Sequence, residues 1–181
     1  MTDLSVSTGI GCRWTGRCRK QRWAGKKRGP NPTDRAKRGT KRSVLTESMG
    51  IPLGLAVDGA NAVDFKLARD TIESIPIKRP RPTRNCPQGM CLDKGYDYAE
   101  IDALLEEFRF TGHVARRGQD TRKLKRTARR KARRWVVERT HSWMNRFRRV
   151  LVRWEKRADT YIGLLHLVFA LITWRASGAF D

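Results

Sequence analysis

The 181-residue sequence predicts an α/β domain: a mixed sheet with flanking helices and a helical C-terminus. Three observations carry that reading. Two short strand-like runs around a glycine-containing turn come early, strands then alternate with helix-period stretches, and two long apolar-periodic stretches close the chain.

Residues 1 to about 29 show neither a strand period nor a helix period. Gly11 to Gly29 mixes Arg, Lys, Trp, Gly and Cys, so irregular backbone is expected there. Ser43-Val44-Leu45-Thr46 and Pro52-Leu53-Gly54-Leu55-Ala56-Val57, joined through Ser48-Met49-Gly50, read as a hairpin. Asp64 precedes the helical pattern Leu67, Ala68, Ile72 and Ile75, where it can cap a helix running to about Ser74. The proline-rich run Ile75 to Pro87 ends that helix as a linker. Met90-Cys91-Leu92 looks like a buried strand stopping at a polar loop, Asp93-Lys94-Gly95-Tyr96-Asp97. Ile101, Leu104, Leu105 and Phe108 fall at helical spacing over Tyr98 to Phe108, and Phe110 to Ala115 is a further candidate strand. Arg116 to Arg133 has almost no apolar residue and reads as a solvated basic loop. Trp135 to Trp154 predicts one long amphipathic helix, and Tyr161 to Trp174 a second that is apolar nearly all round. One core suits this length. The expected division is an irregular segment 1–28, a domain 29–176 and a tail 177–181.

Charge narrows the function. Forty Lys and Arg against eighteen Asp and Glu give a formal net charge of +22, under which a compact chain repels itself unless a polyanion is near. Residues 11–42 hold thirteen basic side chains and one acid, and residues 116–157 hold eighteen and three. Such clustering, without acids interleaved at i+3 or i+4, is the footprint of phosphate binding. DNA is the expected partner.

Other classes are disfavoured. The spacings of Cys12, Cys18, Cys86 and Cys91 are not those of a zinc site, and His113, His141 and His166 complete no ligand set, so incidental reduced thiols are expected. The first residues are polar, with no secretory h-region. Tyr161 to Thr173, about thirteen residues with His166 among them, falls short of the roughly twenty needed to span a bilayer. A cytoplasmic protein associated with the nucleoid, with no membrane partner, is the expectation.

Three segments in order resemble the DDE-type transposases of bacterial insertion sequences. The first is Gly29-Pro30-Asn31-Pro32-Thr33-Asp34-Arg35 on to Lys41-Arg42, with Gly50-Ile51-Pro52-Leu53 and Gly59-Ala60-Asn61 through Asp64 behind it. The second is Leu92-Asp93-Lys94-Gly95-Tyr96-Asp97. The third is Arg133-Arg134-Trp135-Val136-Val137-Glu138-Arg139-Thr140-His141-Ser142-Trp143, followed by Asn145-Arg146-Phe147-Arg148-Arg149. Together they cover residues 29 to about 176.

The resemblance implies a ribonuclease H-like catalytic domain, Mg2+-dependent DNA cleavage and strand transfer, insertion-sequence ends and target DNA as partners, and a homodimer as one assembly the family allows. It implies Asp93 and Glu138 as catalytic metal ligands, expected to approach each other at one edge of the sheet. The chemistry agrees, because two-metal transesterification needs carboxylates to hold one ion at the attacking oxygen and one at the leaving oxygen. On the residues alone, Asp93 is equally a turn former and Glu138 an ion-pair partner of Arg134 or Arg139. Arg134 matches an arginine that the family keeps four before the glutamate. A basic residue that some relatives place seven after it is Asn145 here, with Arg146 one further on. DNA contacts are expected from Arg134, Arg139, Arg146, Arg148 and Arg149, and from Lys123, Lys125, Arg126, Arg129 and Arg130 in the basic loop.

One catalytic carboxylate is missing. The family's first aspartate lies shortly before the Gly-Pro-Asn-Pro-Thr-Asp-Arg segment, and Arg13 to Gly25 contains no acid. Read one base early, Trp14 into Thr15 forces an aspartate codon and Trp23 into Ala24 forces a glycine codon. The shifted frame can spell Val-Asp-Gly-Ala-Met-Pro-Lys-Ala-Thr-Leu-Gly-Gly, close to the family's Asp-Gly-Ala-Met-x-Lys-Ala-Pro-Leu-Gly-Gly. Residues 1 to about 25 are therefore read as an out-of-frame translation, with the first strand of the fold and the upstream DNA-end-recognising region expected to be absent and the site incomplete. The competing reading is a non-catalytic basic nucleic-acid-binding protein, which needs the charge but not Asp93 and Glu138 beside buried strands.

Overall fold

The computed structural model describes residues 7–12, 26–30, 38–92, 94–114 and 134–178, without the side chains of 7–12, 94, 134 and 135. The strands are β1 (Ser7–Cys12), β2 (Gly29–Pro30), β3 (Arg38–Thr46), β4 (Pro52–Gly59), β5 (Gly89–Leu92) and β6 (Thr111–Val114). The helices are α1 (Lys66–Glu73), α2 (Ala99–Glu107), α3 (Arg134–Asn145), α4 (Arg148–Leu151) and α5 (Ala158–Ala176), with a 3-10 turn at Lys94–Tyr96.

The sheet is mixed. β1 lies between β3, to which it is antiparallel, and β5, to which it is parallel. β4 pairs antiparallel with the other side of β3, and β6 extends the sheet parallel to β5. The hairpin expected around Gly50 is present, and β3 reaches back to Arg38. Strand pleat sends Leu45 and Val44 to opposite faces, and each joins a different core. Leu45 packs with Ala68, Ile72, Met90, Leu92, Ile101 and Leu105 beneath α1 and α2. Val44 packs with Leu55, Val57, Met144, Val150, Tyr161 and Leu165 beneath α3, α4 and α5.

Three expectations need correction. The first strand is not absent from the fold. β1 occupies the centre of the sheet within the stretch read as irregular, and its residues Ser-Thr-Gly-Ile-Gly-Cys carry no two-residue apolar alternation to reveal it. Strand formation there follows from pairing on both edges, because glycine-rich sequence has low intrinsic β-preference.

The long helix expected over Trp135 to Trp154 breaks after Asn145, and Phe147 is extended at φ −86°, ψ 99°. At about 100° per residue, positions 144 and 150 of an unbroken helix would point some 120° apart. The break lets Met144 and Val150 enter one core, both at or below 1% exposure.

Asp64 does not cap α1. Phe65 is the N-terminal boundary residue and no side-chain hydrogen bond caps the helix. The predicted loop Arg116 to Arg133 falls outside the described residues.

Candidate functional site

Position 93 lies outside the described residues, between Leu92, which ends β5, and the turn beginning at Lys94. The register sets Leu92 beside Ile10 of β1, and Ile10 beside Leu45 of β3. A carboxylate of the central strand would be expected in this neighbourhood, yet β1 is Ser-Thr-Gly-Ile-Gly-Cys, with no acid.

Glu138 is an exposed residue of α3, the helix packed across β1 and β3. Its helix is fixed through the next two residues. Thr140 Oγ1 donates to Gly50 O at 2.6 Å, and the Arg139 guanidinium donates to Met49 O while lying 5.0 Å from the Trp143 ring centroid. Gly50 adopts φ +88°, a left-handed conformation that glycine takes without strain. A Cβ there would stand 3.2 Å from Thr140 Oγ1. The turn is shaped from within by Glu47, whose carboxylate accepts from Met49 N at 2.6 Å and Ile51 N at 3.0 Å. Turn and helix thus form one unit that sets where Glu138 stands.

A carboxylate that sequence reading cast as a cap lies beside the loop instead. Asp64 Oδ1 pairs with Lys41 Nζ at 2.9 Å, and Lys41 also donates to Ala62 O at 2.5 Å. Asp64 Oδ2 would be 3.7 Å from a Cβ on Gly95, two residues past position 93. The pair ties β3 to the approach to α1. Nothing in the sequence distinguishes a buried Lys41 from its exposed basic neighbours. Asp64→Asn removes the carboxylate charge facing an ammonium whose side chain is 5% exposed. A loss of about 3 kcal/mol is expected, the lower end for breaking a buried pair because Ala62 O still accepts. Urea denaturation followed by circular dichroism checks it, and an unchanged midpoint contradicts the assignment.

The arginines divide into two groups. Arg146 and Arg148 are exposed in the break after α3 and at the start of α4. Arg149 is exposed and pairs with Glu155 at 3.1 Å, while Arg139 is held by the Gly50 turn. The side chain of Arg134 and all of Lys123, Lys125, Arg126, Arg129 and Arg130 lie outside the described residues.

Two further arginines are internal. Arg153, 5% exposed, donates to the carbonyls of Lys26, Lys27 and Glu155 and to Thr40 Oγ1, each at 3.2 Å, and to Lys156 O at 3.4 Å. Burial, and next the neighbouring Arg28, lower its pKa. Arg42, also 5% exposed, donates to the carbonyls of Val150 and Leu151. Both guanidiniums lie over the Tyr161 ring, at 5.3 and 5.7 Å, and burial raises the Tyr161 pKa. Part of the basic composition therefore holds the fold and is not available to a ligand.

Mg2+ takes oxygen ligands in near-octahedral geometry. Among the described residues no three of His, Cys, Asp and Glu gather where they could hold a metal ion. β1 contributes no acid to such a group. Among the described residues, no helix is long and apolar enough to cross a membrane.

The family described as Transposase DDE domain matches residues 8–173. A Burkholderia cepacia protein described as a transposase for insertion sequence element IS402 is 37% identical over 161 residues, covering 85% of this chain and 72% of that protein. No solved structure matches the chain significantly. A match across nearly the whole chain, a relative at this identity and a mixed α/β fold lead to one assignment: the chain belongs to the DDE-type transposases of insertion sequences.

Proposed function

We propose that the chain is a DNA-binding member of the transposase family with a ribonuclease H-like core, which holds DNA phosphates but does not cut or join DNA. The observation that carries it is the contrast between family and central strand. The family is one of transposases, yet β1 offers no carboxylate to stand with Asp93 and Glu138. The ribonuclease H-like reading is supported by the mixed sheet with β1 at its centre and helices on both faces. Asp93 and Glu138 are the two remaining metal-binding carboxylates in this proposal, which rests on the motifs around them. Mg2+, when bound to a complete set, supplies activation of the attacking oxygen and charge stabilisation at the leaving oxygen. A one-base shift across residues 1 to about 25 accounts for the lost aspartate, and residues 29 to 176, with β1 as the central strand of their sheet, make up the domain.

DNA binding is assigned to Arg146, Arg148 and Arg149, to Arg134 and Arg139 on α3, and to the basic residues 123–130. Net charge of +22 and the exposure of Arg146 and Arg148 support it. Each phosphate contact releases condensed counterions, so affinity falls with salt. With six or more contacts, binding to a nonspecific duplex is expected to weaken roughly 10³-fold or more between 50 and 200 mM salt. Fluorescence anisotropy of a labelled duplex measures this, and Arg146→Ala or Arg148→Ala is expected to reduce the salt slope by about one each. Binding that is flat across that range contradicts the reading.

A further inference from the structure

We propose that the proline-rich run 75–87 and the turn between α2 and β6 form a second seat for a DNA backbone phosphate. It lies at the end of β5 opposite to position 93 and on the face of the sheet opposite to α3. The proposal rests on the DNA-binding reading and deepens it.

The run is an ordered strap. Gln88 Nε2 donates to Pro80 O at 2.9 Å, and Thr111 N donates to Gln88 O at 2.8 Å, so the strap is tied to the starts of β5 and β6. Position 93 follows the other end of β5. Four strand residues separate the two ends, roughly 13 Å at the usual rise. The strap also lies on the α1 and α2 side of the sheet, the opposite face from α3.

Between strap and helices is a cavity of about 500 Å3, whose wall includes Ile72, Arg79, Arg81, Glu107, Phe108 and Arg109. Prolines 80 and 82 alternate with Arg79 and Arg81 and fix the backbone at those positions without adding N–H donors. The Arg79 guanidinium lies 3.8 Å from the Phe110 ring centroid and donates to Phe108 O. Its Nη1 is buried without a hydrogen-bond partner. A buried N–H left unmade is costly, and an anion oxygen would satisfy it. Stacking on an aromatic ring presents the guanidinium fork in a fixed plane, the geometry that suits phosphate.

The wall carries two more cations among its apolar side chains. Arg81 and Arg109 are exposed, and Lys78 and Arg84 flank them on the strap. Glu107, the acid on the wall, is already engaged by Arg69 through contacts of 2.9 and 2.5 Å. That pair holds the Glu107 carboxyl below its ordinary range, so it stays ionised with the Arg69 charge beside it offsetting its own.

The test compares salt slopes of duplex binding. Arg81→Ala with Arg109→Gly removes two charges without loading the fold, since Arg109 sits at φ +57°, a conformation glycine prefers. Lys66→Ala with Arg175→Ala removes the same charge elsewhere on the exposed surface. The strap variant is expected to lower the slope magnitude by about 0.9, one phosphate contact, and the control to leave it unchanged. Equal slopes for parent and strap variant overturn the proposal, as does an equal drop in the control, which would reveal a general charge effect. A parent that binds no DNA at any salt overturns the proposal together with the DNA-binding reading, an outcome distinct from both.

Discussion

Replacing Arg153 with alanine is expected to remove most of the protein's stability. Five acceptors lose a donor at once: the Thr40 hydroxyl and four backbone carbonyls, of which Glu155 O keeps Arg28 and Lys27 O keeps Thr40 Oγ1. Hydrogen bonds from a charged donor contribute about 1.5–3 kcal/mol each. Even about 1 kcal/mol apiece, allowing water to reach some carbonyls, totals near 5 kcal/mol. That is comparable with the whole stability of an ordinary domain, about 5–15 kcal/mol. The consequence spreads beyond one contact, because Arg153 joins residues 26 and 27 to β3 and to the segment before α5. Arg153→Lys is expected to recover only part of the loss, since a single ammonium cannot span the positions that the planar fork reaches. Urea denaturation monitored by far-ultraviolet circular dichroism measures both. A midpoint for Arg153→Ala equal to that of the parent would show that the staple contributes nothing.

That result bears on how much of the molecule can be read from sequence. The hairpin around Gly50 and helices α1 and α2 were readable from the period of their apolar residues, and β5 from a short apolar run that stops at a polar loop. β1 was not. Its strand character comes from partners on two sides, and pairing leaves no mark on a run of small residues. The break after Asn145 was hidden for a related reason. Phe147, Val150 and Leu151 sustain an apparent helical pattern, and only the shared core of Met144 and Val150 requires the chain to turn.

The arginines show a different limit. Arg42 and Arg153 stand among exposed basic residues of the same type, and composition counts them as ligand-binding charge. Their burial depends on carbonyls far away in the chain, such as Val150 for Arg42 and Lys26 for Arg153. Asp64 illustrates it for an acid. Its position before a helix suggests a cap, but Lys41 on the neighbouring strand offers a charged partner in a buried setting. Of the candidate site, the motifs around Asp93 and Glu138 led to the right family, and the absence of an acid from the N-terminal stretch is visible in the sequence itself.

The proposed loss of chemistry is testable in a single assay. A two-metal centre deprived of a carboxylate cannot fix both ions at the attacking and leaving oxygens. Even the loss of a supporting group around a metal typically costs 10- to 100-fold, so loss of a ligand is expected to be more severe. The acids within residues 4–34 reduce to Asp34, which follows the missing aspartate's place in the Pro-Thr-Asp-Arg segment. The direct measurement is nicking and strand transfer on DNA carrying the element's ends, with Mg2+ or Mn2+. It is run on this 181-residue chain and on a version in which the proposed one-base shift is reversed. Cleavage by the repaired protein alone is the expected result. Mg2+-dependent cleavage by the chain as it stands, abolished by Asp93→Ala, would contradict it.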